Sequence, residues 1–104
     1  MAGLGEEQSV VVHIRLAGEG YGTDDQRALV YEAGRVMAAA VEDARVGEVD
    51  GNEFGGGEAV VFAYGPDADA LFKVMEPALR RLPLRPVYVV LRRGGDDNGS
   101  RVDL

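Results

Sequence analysis

The chain has no cysteine, one histidine, and only eleven lysines and arginines against eighteen acidic residues. Each shortage excludes something. Without cysteine there is neither a disulfide framework nor a thiolate metal site. A zinc centre needs several His or Cys ligands, and His13 stands alone. No apolar run approaches the ~20 residues that cross a bilayer, so no membrane partner is expected. The opening "MAGLGEEQS" is polar and acidic, unlike a secretory signal, and the expected location is the cytoplasm. A net charge of −7 argues against nucleic acid, whose phosphates need clustered cations. Hydroxyl nucleophiles are scarce as well: Ser9, Thr23 and Ser100 are the whole set.

What is present suits one small globular domain. In 104 residues, 46% are apolar and 28% charged, enough for a single core under a soluble surface. The charge is uneven along the chain. Residues 42–69 hold eight acids (Glu42, Asp43, Glu48, Asp50, Glu53, Glu58, Asp67, Asp69) against Arg45 alone. Residues 70–93 hold six cations (Lys73, Arg80, Arg81, Arg85, Arg92, Arg93) against Glu76 alone. Such polarity provides solvated faces, or a surface complementary to a partner or a second copy.

Periodicity divides the chain into six main segments. "SVVVHIRL", 9–16, is β-branched and alternates, with Val10, Val12, Ile14 and Leu16 on one face and Val11, His13 and Arg15 on the other. "AGEGYG" is a loop. Thr23, three residues before Gln26, predicts a capping box opening a helix that runs to about Arg45, with Gly47 as its stop. Leu29, Ala33, Val36, Met37, Ala40, Val41 and Ala44 form its expected apolar stripe. "EVDGNEF", 48–54, reads as a weak strand and "EAVVFAYG", 58–65, as a strong one, with Gly55, Gly56 and Gly57 making the turn between them. For 58–65, either Val60, Phe62 and Tyr64 or Ala59, Val61 and Ala63 could face inward. Pro66 suits the first position of a second helix, whose inner face carries Leu71, Val74, Met75, Ala78 and Leu82, with Pro77 expected to kink or tighten it. "VYVVLRR", 87–93, is a further strand, and "RVDL" has the alternation of a short terminal one.

This order is βαββαβ, so the expected fold class is α+β and ferredoxin-like, an antiparallel sheet ordered 4-1-3-2 with two helices on one face. The expected organisation is a flexible N-terminus over 1–8, the domain over 9–93, and a turn with a short strand or tail over 94–104. "DGNEFGGGE" followed by "YGPDADALF" resembles a segment of small single-domain proteins from high-GC bacteria. The resemblance covers most of the chain and implies the fold. It brings no activity, cofactor or catalytic residue.

Known site chemistries fit poorly. A calcium loop read from Asp50 would need oxygen ligands at positions 54 and 61, which are Phe and Val. "GEGYGTDD" sits where a nucleotide loop would, but lacks the glycine spacing and the lysine, and Glu19, Asp24 and Asp25 would repel phosphate. Ser9 and His13 share a strand face but stand ~13 Å apart, too far for a nucleophile and its base. The acylphosphatase pattern of an N-terminal glycine loop with an Arg and a separate Asn is not matched. No cofactor is therefore expected.

One place remains. If Val12 faces the helices, the other side of the sheet carries Val11, His13 and Arg15 beside Tyr88, Val90 and Arg92, with Glu48, Asp50 and Asn52 on the far strand. That face is too apolar to be comfortably bare: the alternatives are a mixed, solvated face and one covered by another subunit or a ligand, and the covered reading is taken forward. The expected function is a non-enzymatic, acidic protein-interaction module of the inhibitor or immunity type, self-associating as a homodimer through Val11, His13, Arg15, Tyr88, Val90 and Arg92. Glu48, Asp50, Glu53, Glu58, Asp67 and Asp69 would present an acidic surface to a basic protein. Two alternatives are an ACT-like small-molecule sensor with its ligand near the 17–24 loop, and a small enzyme using His13, Arg15, Tyr88 and Arg92.

Overall fold

The computed structural model describes residues 7–94 and 98–104. Along the chain lie β1 (Gln8–Arg15), α1 (Asp24–Ala44), β2 (Glu48–Gly55), β3 (Glu58–Gly65), α2 (Ala68–Arg81), β4 (Val87–Arg92) and β5 (Ser100–Asp103). The fold is α+β: two helices and one antiparallel sheet ordered β2-β3-β1-β4-β5. Residues 1–6 of the expected flexible N-terminus, and 95–97 of the expected turn before the last strand, lie outside the described residues. Among the described residues, no helix is long and apolar enough to cross a membrane.

The terminal strand changes one expectation. β5 pairs along β4, so β4 is an interior strand and the sheet's edges are β2 and β5. The expected 4-1-3-2 order holds for the first four strands, but 87–93, an edge strand in that order, is corrected to an interior one. The alternation of "SRVD" sets Val102 opposite Val89 and Arg101 opposite Val90, giving β5 an inward and an outward side of its own.

The pleat directs the core. Val10, Val12 and Ile14 of β1, Ala59, Val61 and Ala63 of β3, and Val87, Val89 and Leu91 of β4 are buried beneath the helices. The alanines of β3 answer the question left open for 58–65: its small side chains face inward, where the helices approach closely, and Val60, Phe62 and Tyr64 face outward.

Helix α1 begins at the expected capping box, with Gln26 N donating to Thr23 Oγ1 and Thr23 N donating to Gln26 Oε1. It buries Val30, Ala33, Met37 and Val41, whereas Leu29 and Val36 are exposed and Ala44 lies at the surface. The rows 29/36 and 30/37 are the same seven-residue repeat displaced by about 100° of helix rotation. Both are apolar, and periodicity does not say which one meets the sheet. Leu29 and Val36 instead line a groove between the helices, with Ala78, Arg81, Leu82 and Pro83 opposite.

The stop signal also moves. Arg45, at φ 57° and ψ 40°, is the left-handed C-cap. Gly47 serves a close approach instead: a Cβ there would lie 2.1 Å from the Tyr64 carbonyl oxygen. At α2, Asp67 is the N-cap, accepting from the Asp69 and Ala70 amides, so Pro66 precedes the cap rather than opening the helix. The helix runs through Pro77 to Arg81. Its final carbonyls are gathered by Arg85, which donates to Leu79 O, Arg80 O and Leu82 O.

The β2–β3 reversal uses two of the three glycines. Gly56 and Gly57 have φ of 61° and 81°, as a two-residue primed turn requires, while Gly55 ends β2. The turn docks on the 17–22 loop through Gly57 N to Gly20 O at 2.9 Å and Leu16 N to Gly57 O at 2.8 Å.

Candidate functional site: the open face of the sheet

Among the described residues no helix covers the second face of the sheet, and the register fixes what stands there. On central β1, Ser9 lies opposite Tyr64 and Arg92, Val11 opposite Phe62 and Val90, His13 opposite Val60 and Tyr88, and Arg15 opposite Glu58. Farther out, Val90 meets Arg101 and Tyr88 meets Asp103. On the other side, Glu48 meets Tyr64, Gly51 meets Phe62 and Glu53 meets Val60. A bulge between Val49 and Gly51 absorbs Asp50 and resets the alternation. Asn52 is thereby set opposite inward-facing Val61, and Glu53 takes the outward place. The expected outward trio of Glu48, Asp50 and Asn52 is thus corrected to Glu48, Gly51 and Glu53.

The face has two halves. One is apolar: Val11, Phe62 and Val90 lie side by side, with Tyr64 beyond them, and all four are half-buried. The other is a row of polar contacts spanning four strands. The His13 Nδ1–H donates to Glu58 Oε1 at 2.8 Å. The imidazole stacks on the Tyr88 ring at 4.5 Å between centroids and 6° between planes. The Arg101 guanidinium carbon lies 3.8 Å from the centre of that ring, and its Nε and Nη2 donate to Asp103 Oδ1 at 3.1 and 3.0 Å. His13 Nε2 has no hydrogen-bond partner among the described residues, and no buried side-chain nitrogen or oxygen there lacks one, so Nε2 reaches solvent.

Arg15 and Arg92 are exposed on this face, and their guanidinium groups make no hydrogen bond or ion pair to a described residue. Arg15 stands directly across from Glu58, yet Glu58 is engaged by His13 on the diagonal. The Arg15 guanidinium lies instead beside the turn, where a Cβ on Gly57 would approach its Nη1 to 3.3 Å.

The six expected acidic residues do not share one surface. Glu48, Asp50 and Glu53 are exposed on edge strand β2, without partners among the described residues. Glu58 is held by His13, and Asp67 caps α2. Asp69 accepts from Arg93 Nε and Nη2 at 2.8 Å each, and these hydrogen bonds hold its carboxyl below the usual carboxylate range. The 17–24 loop is closed on itself. Gln26 Oε1 accepts from Ala17 N and Thr23 N, and Arg27 donates to the Tyr21 and Gly22 carbonyls and to Asp24.

Sequence reasoning missed Arg101 and Asp103 as members of the face and left open whether Val60, Phe62 and Tyr64 belonged to it. Alternation within "SRVD" carried the first two. For β3, the contrast between inner alanines and outer bulky residues was the available signal. Comparison with protein-family models, curated proteins and solved structures finds no match to this chain.

Proposed function

We propose that this protein is a non-enzymatic interaction module, a ferredoxin-like βαββαβ unit extended by a fifth strand, that self-associates through the open face of its sheet. The supporting observation is the outward patch of Val11, Val60, Phe62, Tyr64, Tyr88 and Val90, contiguous over the three central strands and without a covering layer among the described residues. A second copy is the occupant that the charges favour. A two-fold axis parallel to β1 lays the β2 side of one copy over the β4–β5 side of the other, so Glu48 and Glu53 approach the side that carries Arg92 and Arg101. An axis across the strands would set the carboxylates of β2 against their own counterparts. Apolar burial supplies the affinity, and the charges select the orientation.

Sedimentation equilibrium at micromolar concentration tests this. The wild type should dimerise and Val90→Glu should not. A wild type that stays at 11.1 kDa refutes self-association. A dimer indifferent to Val90→Glu moves the interface elsewhere.

The exposed carboxylates of β2 suit a basic protein as a further partner, the inhibitor- or immunity-type role, tested by retention of a basic protein from the native host and its loss on Glu48→Gln/Glu53→Gln. One observation favours a catalytic reading: Glu58 orients His13 so that Nε2 is available as a base, beside Arg15 and Tyr88. Turnover of any substrate that disappears in His13→Gln would establish it. The closed backbone of the 17–24 loop gives a metabolite-sensing reading no support.

A further inference from the structure

We infer that self-association through this face takes up protons, with the His13–Glu58 pair as the linked group. The inference rests on the face-to-face reading above and concerns its regulation. Glu58 is already partly withdrawn from water, its side chain 35% exposed and that of His13 23%. A copy seated on the face withdraws it further. A carboxylate losing its water needs a counter-charge close by, or the burial is costly.

The neighbours of the pair decide which group supplies that charge. β1 contributes Arg15, β4 contributes Tyr88, β5 contributes Arg101 and Asp103, and β2 contributes Glu53 beyond Val60. Arg101 is engaged by Asp103 and by the Tyr88 ring. Arg15 lies toward Gly57. The group touching Glu58 is His13, at 2.8 Å. With His13 neutral, Glu53, Glu58 and Asp103 outnumber Arg15 and Arg101 by one charge per copy; with His13 protonated the cluster is neutral. The whole chain carries −7, so each proton taken up also lowers the repulsion between copies.

One effect opposes this. An axis along β1 brings the two copies of His13 near each other. Each imidazolium, however, keeps its own Glu58 at 2.8 Å, so the pairs meet as dipoles rather than as bare charges. The dimer therefore binds more protons than two separate chains, and association tightens as pH falls through the range in which histidine changes charge. The sequence has one histidine, so His13 is the one side chain whose ordinary titration range falls there, and the His13→Gln comparison separates it from the α-amino group.

The experiment is sedimentation equilibrium of the full chain at about pH 8 and about pH 6. The wild-type Kd should be about tenfold or more lower at the acid end, within the limit of two protons per dimer. Glu58→Gln removes the charge that needs compensating. It should associate more tightly than wild type at the alkaline end and lose the pH dependence. His13→Gln keeps a donor toward Glu58 but cannot be protonated. It should be flat with pH and as weak as wild type at the alkaline end. Glu42→Gln, a charge removed at the end of α1, should keep the wild-type profile. A wild-type dimer with the same Kd at both pH values overturns the inference, as does a Glu58→Gln protein that retains the wild-type profile. Circular dichroism confirms that each variant is folded. A monomer at every pH would refute self-association itself, whereas a pH-insensitive dimer refutes only the proton linkage.

Discussion

Strand β1 presents two faces that differ in everything but their backbone. Val10, Val12 and Ile14 have no solvent exposure, because they face the helical layer, where α2 packs on β1. Val11, His13 and Arg15, one residue out of phase, stand on the side without helices and change from half-buried to exposed along the strand. On the inner face, cross-strand neighbours are interchangeable in kind: valine, alanine, leucine and isoleucine meeting more of the same. On the outer face each pair is individual: Glu58 with His13, His13 with Tyr88, Tyr88 with Arg101. The inner face is a stability device whose requirement is apolar volume. The outer face has a chemistry defined by which residue stands beside which, so register is where its specificity resides.

The largest test of that contrast truncates each face. Ile14→Ala should cost about 2–5 kcal/mol, as for other fully buried large-to-small changes. Val11→Ala should cost less than about 1 kcal/mol in dilute protein, where its face is uncovered. Urea denaturation at sub-micromolar concentration measures both. Equal losses would mean that the outer face is consolidated within the monomer, and the interface argument would lose its basis.

The same contrast recurs within α1. Met37 is fully buried while neighbouring Val36 is 40% exposed. Met37→Ala should cost about 2–4 kcal/mol, and Val36→Ala less than about 1 kcal/mol. The reverse order would put Val36 rather than Met37 toward the core and turn the helix by one residue.

These two cases show how far the sequence could be read. Alternation in β1 and β4 was enough to separate Val12 from Val11 and Val89 from Val90, because strand period 2 leaves only two choices and one of each pair of faces is entirely apolar. The helix was harder. Leu29, Val30, Val36 and Met37 are all apolar, and the choice between rows depends on how α1 sits over the sheet. In β2 the alternation itself misled. The bulge at Asp50 exchanges the faces of everything after it, and "VDGNEF" carries no local mark of this beyond a glycine. The His13–Glu58 contact joins residues 45 positions apart, so it follows from the β1–β3 register and not from any motif. The fifth strand's alternation was legible, but its position beside β4, which gives Arg101 to Tyr88, was not.

A smaller effect compares two glycines of one turn. Gly57 has φ +81°, and a Cβ there would lie 2.7 Å from the Gly18 carbonyl oxygen. Gly57→Ala should cost more than about 1 kcal/mol, from the left-handed backbone and from displacement of the 17–22 loop. At Gly55 a Cβ meets nothing within 4 Å, and Gly55→Ala should be nearly neutral. If both substitutions were neutral, the loop would not be pinned by the turn. If Gly57→Ala disturbed self-association while leaving stability unchanged, the turn would belong to the interface.

The smallest expected effect is on the helix side, at Asp69, and it sharpens the contrast with the pair on the open face. Glu58 and His13 are part-buried, whereas Asp69 and Arg93 are 62% and 39% exposed, so solvent screens most of their attraction. Arg93 nevertheless lowers the Asp69 pKa, chiefly by hydrogen bonding, against an opposing contribution from desolvation that outweighs the further lowering by its charge. A carboxyl lowered on folding contributes stability that is present above its unfolded value, roughly 3.9, and lost as pH falls through the lower folded value. Asp69→Asn should therefore lower the urea midpoint slightly at neutral pH and not at all in strong acid, where the wild-type carboxyl is also uncharged. Asp69 also lies in the first turn of α2, where a negative charge is favoured by the helix dipole, and that benefit disappears over the same acid range. Arg93→Gln leaves the dipole interaction and removes the ion pair, together with the other contacts of Arg93, among them its donation to Ser100 Oγ at 2.8 Å. If the gap between Arg93→Gln and wild type closes in acid, the pair is responsible. If that gap stays constant while the Asp69→Asn gap closes, the dipole carries the whole pH-dependent effect and the contact from Asp69 to Arg93 is geometry without energy.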